Sequence, residues 1–177
     1  MAISPPGPLG DEHRLDDFRC SSPALTKWLV DRARKNHREG ASRCFVVCDE
    51  QQHVIGYYAL AAGAVSHELA PGSVKRNMPD PIPVAVLGRL AVHTDWARKG
   101  VGQGLLKDAV QRTLQTAQQM GIRVLLCHAI DEHAKAFYLR NGFIESPTDA
   151  MTVMLSLAGL QEALQNASLS VTSKPDG

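Results

Sequence analysis

The sequence predicts a single α+β (α/β) domain, a mixed central sheet flanked by helices. Three observations predict it. Apolar runs of strand length alternate with segments of helical period, in the order αββ(loop)β-α-β-α-β(β). The middle of that order is a β-α-β unit, which requires a parallel crossover. At the start of the crossover helix stands a glycine-rich turn, Gly100-Val101-Gly102-Gln103-Gly104.

The elements follow in order. Met1 to Gly10 is rich in Pro and Gly, with neither a basic n-region nor an apolar h-region. Residues 1–12 are therefore expected to be a flexible leader and not a signal peptide. Ser22-Pro23 starts a helix, with Ser as N-cap and Pro in the first turn. Leu25, Trp28, Leu29 and Ala33 then recur at helical spacing, and Gly40 supplies the stop. Cys44 to Cys48 reads as a short buried strand and Val54 to Val65 as a long central one. The polar Asp49 to His53 between them predicts a hairpin. Residues 67–81, with Pro71-Gly72 and Pro79-Asp80-Pro81, read as irregular. A strand over Val84 to Val92 leads to a helix over Gly102 to Met120, apolar at Leu105, Leu106, Ala109, Val110, Leu114 and Ala117 and stopped by Gly121. Val124 to Ala129 is a strand, and Glu132 to Asn141 is a helix ended by Gly142. Phe143-Ile144 and Met151 to Leu157 complete the strands. The domain is expected over residues 13–157, followed by a loose tail at 158–177 in which Gly159 to Leu164 allows a helical turn or two.

Bulk properties exclude several classes. At 177 residues the chain can bury a substantial core. Its net charge of +1 announces no polyanion partner by itself. No apolar run approaches the roughly 20 residues that span a bilayer. Cys20, Cys44, Cys48 and Cys127 read as reduced, mostly buried thiols of a cytoplasmic protein. Their spacing offers no zinc site, so no metal is expected.

The chemistry concentrates in Leu90-Ala91-Val92-His93-Thr94-Asp95-Trp96-Ala97-Arg98-Lys99-Gly100-Val101-Gly102-Gln103-Gly104-Leu105. A strand, a basic glycine turn and a helix start place several backbone N–H groups where they can wrap a pyrophosphate, with Arg98 and Lys99 adding charge. The pattern is not a Walker loop, because G-x-x-x-x-G-K-[ST] is absent. It is not a dinucleotide fingerprint either, because no acidic residue follows about 20 positions on. One strand later comes Ala134-Lys135-Ala136-Phe137-Tyr138-Leu139-Arg140-Asn141-Gly142-Phe143.

Together the two segments resemble the Gcn5-related N-acetyltransferase (GNAT) superfamily. Its acetyl-CoA motif, [QR]-x-x-G-x-[GA], matches at Ala97 to Gly102, and its later motif, A-x-x-F-Y-x-x-x-G-F, matches at Ala134 to Phe143. Ala97 departs from the usual Gln or Arg, which removes one side-chain contact to the pyrophosphate and leaves Arg98, Lys99 and the backbone to hold it. Over roughly residues 15–157 the chain is similar to GNAT toxins of toxin–antitoxin operons. Phe18-Arg19-Cys20-Ser21-Ser22-Pro23-Ala24-Leu25-Thr26-Lys27-Trp28-Leu29 matches their F-x-C-G-x-x-x-L-x-x-W-L opening, with Ser21 in place of glycine. Arg32 to His37, Gly40 to Arg43 and Gly56 to Leu60 extend the likeness.

The resemblance implies a set of roles. Toxins of this type acetylate the α-amine of aminoacyl-tRNA and block translation, pair with a ribbon-helix-helix antitoxin, and commonly form homodimers. Acetyl-CoA would be held by Leu90, Ala91, Val92, Arg98, Lys99, Gly100, Val101, Gly102, Gln103, Gly104 and Leu105. Acetyl transfer needs a neutral amine, a stabilised oxyanion and a proton for the leaving thiolate. Tyr138, an aromatic with an ordinary pKa near 10, is the expected proton donor. No general base stands out among Glu68, Asp95, Glu132, His67, His93, His128 and His133, and water suffices for the weakly basic amine of an aminoacyl ester.

Residues 27–43 carry six Lys/Arg against Asp31 and Glu39, a local net charge of +4. Given an RNA substrate, Arg32, Arg34, Lys35, Arg38 and Arg43 would contact tRNA phosphates, with Lys75 and Arg76 as further candidates. Two other readings stay open: a GNAT acting on a small amine or a protein amine, and a catalytically silent CoA-binding partner protein.

Overall fold

The computed structural model describes residues 2–160. Residues 161–177, most of the expected tail, lie outside the described residues. The strands form one seven-stranded sheet in the order β1-β2-β3-β4-β5-β7-β6. Their ranges are β1 Gly7–Pro8, β2 Arg43–Cys48, β3 Val54–Val65, β4 Ile82–Val92, β5 Val124–His128, β6 Ile144–Glu145 and β7 Thr152–Ser156. The helices are α1 Pro23–Asp31, α2 Ala33–Glu39, α3 Gly72–Lys75, α4 Val101–Ala117 and α5 Glu132–Arg140. Two compact units divide the described residues: 2–62 with 86–112, and 63–85 with 113–160. Strands β3 and β4 contribute to both.

In the first unit the predicted hairpin forms. β2 and β3 pair antiparallel, from Arg43 opposite Leu60 to Val47 opposite Gly56, with a bulge after Val47. Asp49 holds the turn, accepting from the backbone N–H groups of Gln51 and His53, each at 2.9 Å. The strand period of two then sorts side chains to opposite faces. Cys44, Val46, Cys48, Tyr57 and Ala91 pack with Leu29 of α1, Ala33 of α2 and Phe18. On the other face, Val47 and Gly56 meet Val101 and Leu105 of α4. There the Tyr58 hydroxyl donates to Asp108, which also pairs with Arg112 at 2.8 Å.

Two expectations are corrected in this unit. The leader is not loose throughout. Gly7 and Pro8 pair with Val46 and Phe45 as an edge strand, Leu9 is buried, and the Cys48 N–H donates to the Ser4 hydroxyl at 2.9 Å. A Pro/Gly-rich composition argues against helix, but it permits a short edge strand whose proline needs no ladder donor. The single first helix is broken in two at Arg32, whose backbone leaves the helical region at φ −125° and ψ −28°. Leu29 and Ala33, four apart across the break, are both fully buried. The apolar period therefore passes through the break without registering it. Ser22 caps α1 as expected, accepting from the Leu25 N–H, and Gly40 ends α2 in the left-handed region at φ 81°.

In the second unit β7 pairs antiparallel with β5, from Val124 opposite Ser156 to His128 opposite Thr152, and with β6. Asp131 caps α5 by accepting from the Ala134 N–H at 2.8 Å. Gly142, at φ 91°, turns the chain out of the helix. The stretch expected to be irregular holds a 3-10 turn at His67–Leu69 and the short α3. The Arg123 guanidinium ties α3 down through the carbonyls of Ser73 and Val74.

Candidate active site

The glycine turn is built from β4 outward. Leu90 and Val92 are half-buried and Ala91 is buried. His93 leaves the strand with its own N–H donating to the Ile55 carbonyl at 2.8 Å. Its ring Nε2 lies 3.1 Å from the Asp17 carbonyl, and Nδ1 accepts from the Asp95 N–H. Both ring nitrogens of His93 are thus engaged within the fold. One ring nitrogen of His67 (Nε2) meets the Met78 and Pro79 carbonyls, and one of His128 (Nδ1) meets the Thr152 hydroxyl.

Beyond a 3-10 turn at Thr94–Trp96 the backbone enters the left-handed region at Arg98 (φ 61°) and again at Gly100 (φ 84°). Alternating hands of this kind turn successive N–H groups toward one point. A side-chain carbon added at Gly100 or Gly104 would meet only open space. The turn is therefore an open cradle, and its exposed Arg98 and Lys99 suit a pyrophosphate.

The structure refines the predicted cofactor set. The Gly104 N–H donates to the Gly100 carbonyl at 3.1 Å, closing the first turn of α4. That amide is spent within the helix, while those of Gly100, Val101 and Gly102 precede the first helical hydrogen bond. The Val101 and Leu105 side chains point into the core, 7% and 0% exposed, so only their backbone faces outward. Ala97 offers no hydrogen-bonding side chain, as expected from the sequence.

Gly56 matters here although the sequence marks it only as part of a motif. A Cβ at Gly56 would lie 2.9 Å from Leu105 Cδ1 and 3.1 Å from Val101 Cγ1. The bare glycine lets the first turn of α4 seat on β3, which sets where the cradle opens.

Tyr138, in the second unit, is 5% exposed and the sole buried residue of α5. Phe137 and Phe143 flank its ring at centroid distances of 5.4 and 5.2 Å. Its hydroxyl lies beside the Cys127 thiol of β5, close enough for the two to influence each other's protonation. Burial, and then Cys127, raise the pKa of Tyr138 well above its ordinary value. The residue is a neutral phenol at any physiological pH, able to donate a hydrogen bond but not to act as a base.

The basic cluster divides on inspection. Arg32 at the start of α2, with Lys35 and Arg38 along it, are exposed, spaced three apart, and enter no ion pair among the described residues. Arg34 is half-buried, with its guanidinium donating to the His13 carbonyl. Arg43 donates to the His37 carbonyl at 2.7 Å, closing the end of α2. Arg34 and Arg43 thus serve the fold, which the sequence pattern did not distinguish. It also passed over Arg89, the one charged residue of β4, whose guanidinium carbon lies 4.2 Å from the centroid of the Trp28 ring. A lone Arg in an otherwise uncharged eleven-residue strand was the available signal.

Among the described residues no His/Cys/Asp/Glu group could hold a metal, and no helix is long and apolar enough to cross a membrane. Residues 40–145 match the acetyltransferase (GNAT) domain family. A tRNA-acetylating toxin of Mycobacterium tuberculosis is 45% identical over 152 residues, covering 86% of this chain and 91% of that protein. AtaT complexed with acetyl-methionyl-tRNAfMet superposes with a TM-score of 0.85 at 24% identity, over 92% of this chain and 99% of that one. A mutant AtaT bound to the C-terminus of the antitoxin AtaR and acetyl-CoA gives 0.78 at 23% identity, over 93% and 99%. With a domain match across more than half of its residues and a relative of that identity along most of its length, the chain belongs to the GNAT acetyltransferase family.

Proposed function

We propose that this chain is an acetyltransferase toxin that moves the acetyl group of acetyl-CoA to the α-amine of aminoacyl-tRNA and so blocks translation. The observation that carries the substrate reading is the row of exposed, unpaired cations at α2, Arg32, Lys35 and Arg38, in the unit that also bears the glycine turn. A row of exposed cations at this spacing suits a phosphodiester backbone. The relatives named for tRNA acetylation support the same reading.

In this reading the amides at the start of α4, with Arg98 and Lys99, hold the pyrophosphate of acetyl-CoA. Backbone groups of Leu90, Ala91 and Val92 receive the acetyl carbonyl and the pantetheine amides. Tyr138 donates its hydroxyl hydrogen to the sulfur as the thioester breaks. A phenol with a raised pKa is a poor acid toward a thiolate in water. Burial raises a thiol as well, as it pushes Cys127 up to about 11. A thiolate formed in apolar surroundings therefore takes a proton more readily than one in water. The acceptor amine loses its proton to water.

A ribbon-helix-helix antitoxin is the proposed partner, in line with AtaT bound to the C-terminus of AtaR. A homodimer and a cytoplasmic location belong to the same reading. The test is labelled acetyl-CoA offered with charged tRNAs, free amino acids, polyamines and a lysine peptide. Label that becomes RNase-sensitive, and requires the tRNA to be charged, supports the proposal. Label on the peptide or a free amine instead would replace it.

A further inference from the structure

Arg89 projects from β4 on the same side of the sheet as Ala91, two residues on, and therefore toward the core of α1 and α2. Its guanidinium rests on Trp28, which stacks on Tyr57 with centroids 5.9 Å apart and planes 15° from parallel. Tyr57 is fully buried, is fixed by its hydroxyl donating to the Leu25 carbonyl at 2.6 Å, and meets Phe18 edge-on at 5.6 Å. The cation thus stands on a rigid aromatic column. It is half-buried, and among the described residues no carboxylate pairs with it.

A guanidinium drawn partly out of water with its planar donors uncommitted calls for an anion, and the forked donor set fits phosphate oxygens. Its position adds direction. Arg89 immediately precedes Leu90, the first of the residues assigned to the acetyl carbonyl, and it shares its side of the sheet with α2 and its cations Arg32, Lys35 and Arg38. The stacked aromatic holds the fork in one orientation, so little freedom is lost on binding.

We propose that Arg89 is the acceptor-end anchor. Its guanidinium, oriented by Trp28, binds a phosphate of the single-stranded 3′ end next to the aminoacylated nucleotide, while the α2 cations hold the duplex farther away. This rests on the aminoacyl-tRNA reading above.

The test compares three acceptors on the whole enzyme: charged tRNA, an aminoacylated CCA trinucleotide, and 3′-aminoacyl-adenosine, which has no phosphate. Arg89→Gln is expected to lower kcat/KM by about 10- to 100-fold on the first two, the effect of removing one charge-assisted hydrogen bond. It should leave 3′-aminoacyl-adenosine within about 3-fold, by the same reasoning, and the KM for acetyl-CoA unchanged. Arg89→Lys should recover only part of the loss. The Arg32/Lys35/Arg38 triple variant should lose charged tRNA but keep the trinucleotide. Equal losses by Arg89→Gln on all three acceptors, or no loss on any, overturn the anchor while the wild-type activity still stands. A wild-type enzyme idle on charged tRNA overturns the substrate reading itself. Arg89→Lys and a thermal melt separate lost binding from lost folding.

Discussion

The Tyr138 hydroxyl of α5 and the Cys127 thiol of β5 lie side by side and act on each other's pKa. Burial raises the pKa of both, and their interaction opposes the rise at Cys127 while adding to it at Tyr138. The proposed proton donor is therefore held neutral, with a sulfur beside it, before any thioester arrives. Tyr138→Phe should lose most turnover, by about 10²- to 10⁴-fold, with acetyl-CoA binding retained by calorimetry. Cys127→Ala removes a fully packed sulfur beside Tyr138 and should destabilise by about 0.5–3 kcal/mol. Cys127→Ser refills most of that volume and should recover part of the stability. Single-turnover rates unchanged in the phenylalanine variant would end the acid assignment.

Gly56 and Leu105 define the seat of the cradle. Gly56→Ala should cost about 1–3 kcal/mol, the range for overpacking a tight contact, and the thermal midpoint reads it. Because the Leu105 and Val101 side chains of the first turn of α4 must give way to the methyl, the KM for acetyl-CoA should rise while that for the acceptor stays near the wild-type value.

The two left-handed positions of the turn should respond oppositely. Gly100→Ala has room for its methyl but not the backbone freedom, and should cost about 1–2 kcal/mol together with acetyl-CoA affinity. Arg98→Gly relaxes its backbone, so stability should hold or improve while the lost charge weakens acetyl-CoA. Comparing it with Arg98→Glu isolates the charge in a direct binding titration.

The α2 cations predict a salt dependence. Replacing Arg32, Lys35 and Arg38 together should flatten the plot of log affinity for charged tRNA against log salt. The slope should fall by about 0.7–0.9 for each phosphate that the variant no longer neutralises. Arg34→Glu should act differently. Its guanidinium serves the His13 carbonyl, so the melting temperature falls before any change in slope appears.

Alkaline pH should unfold the protein through its thiols. Burial raises Cys44 to about 12 and Cys48 and Cys127 to about 11, from an unperturbed 9.0. Above pH 9 the unfolded chain sheds these protons while the folded chain keeps them, so stability present below pH 9 is lost as pH rises. The slope is about 1.4 kcal/mol per pH unit for each such thiol. Tyr57, Tyr58 and Tyr138, also raised by burial, extend the loss above pH 10. A denaturant midpoint that stays level from pH 8.5 to 10.5 would contradict this.

Elements announced by contiguous pattern were legible in the sequence. The Val54–Val65 strand, the hairpin turn at Asp49, the caps at Ser22 and Gly40, and the glycine turn all appear where the residues implied. Short elements without a period, such as α3 and β1, did not, because one turn of helix or two paired residues leave no repeat to detect.

What the sequence determined by itself was the kind of chemistry. Alternating glycines after a strand, a Phe-Tyr helix one strand later and a basic first helix are local patterns, and local backbone physics turns each into a usable shape. Which charges remain available to a ligand was decided only in three dimensions. Arg34 is spent on a carbonyl 21 residues away, Arg89 is propped on Trp28, Gly56 is bare to admit Leu105, and Tyr138 is paired with Cys127. Each depends on a meeting of residues distant in the chain, and a side chain's freedom to bind is set by which neighbours folding brings to it.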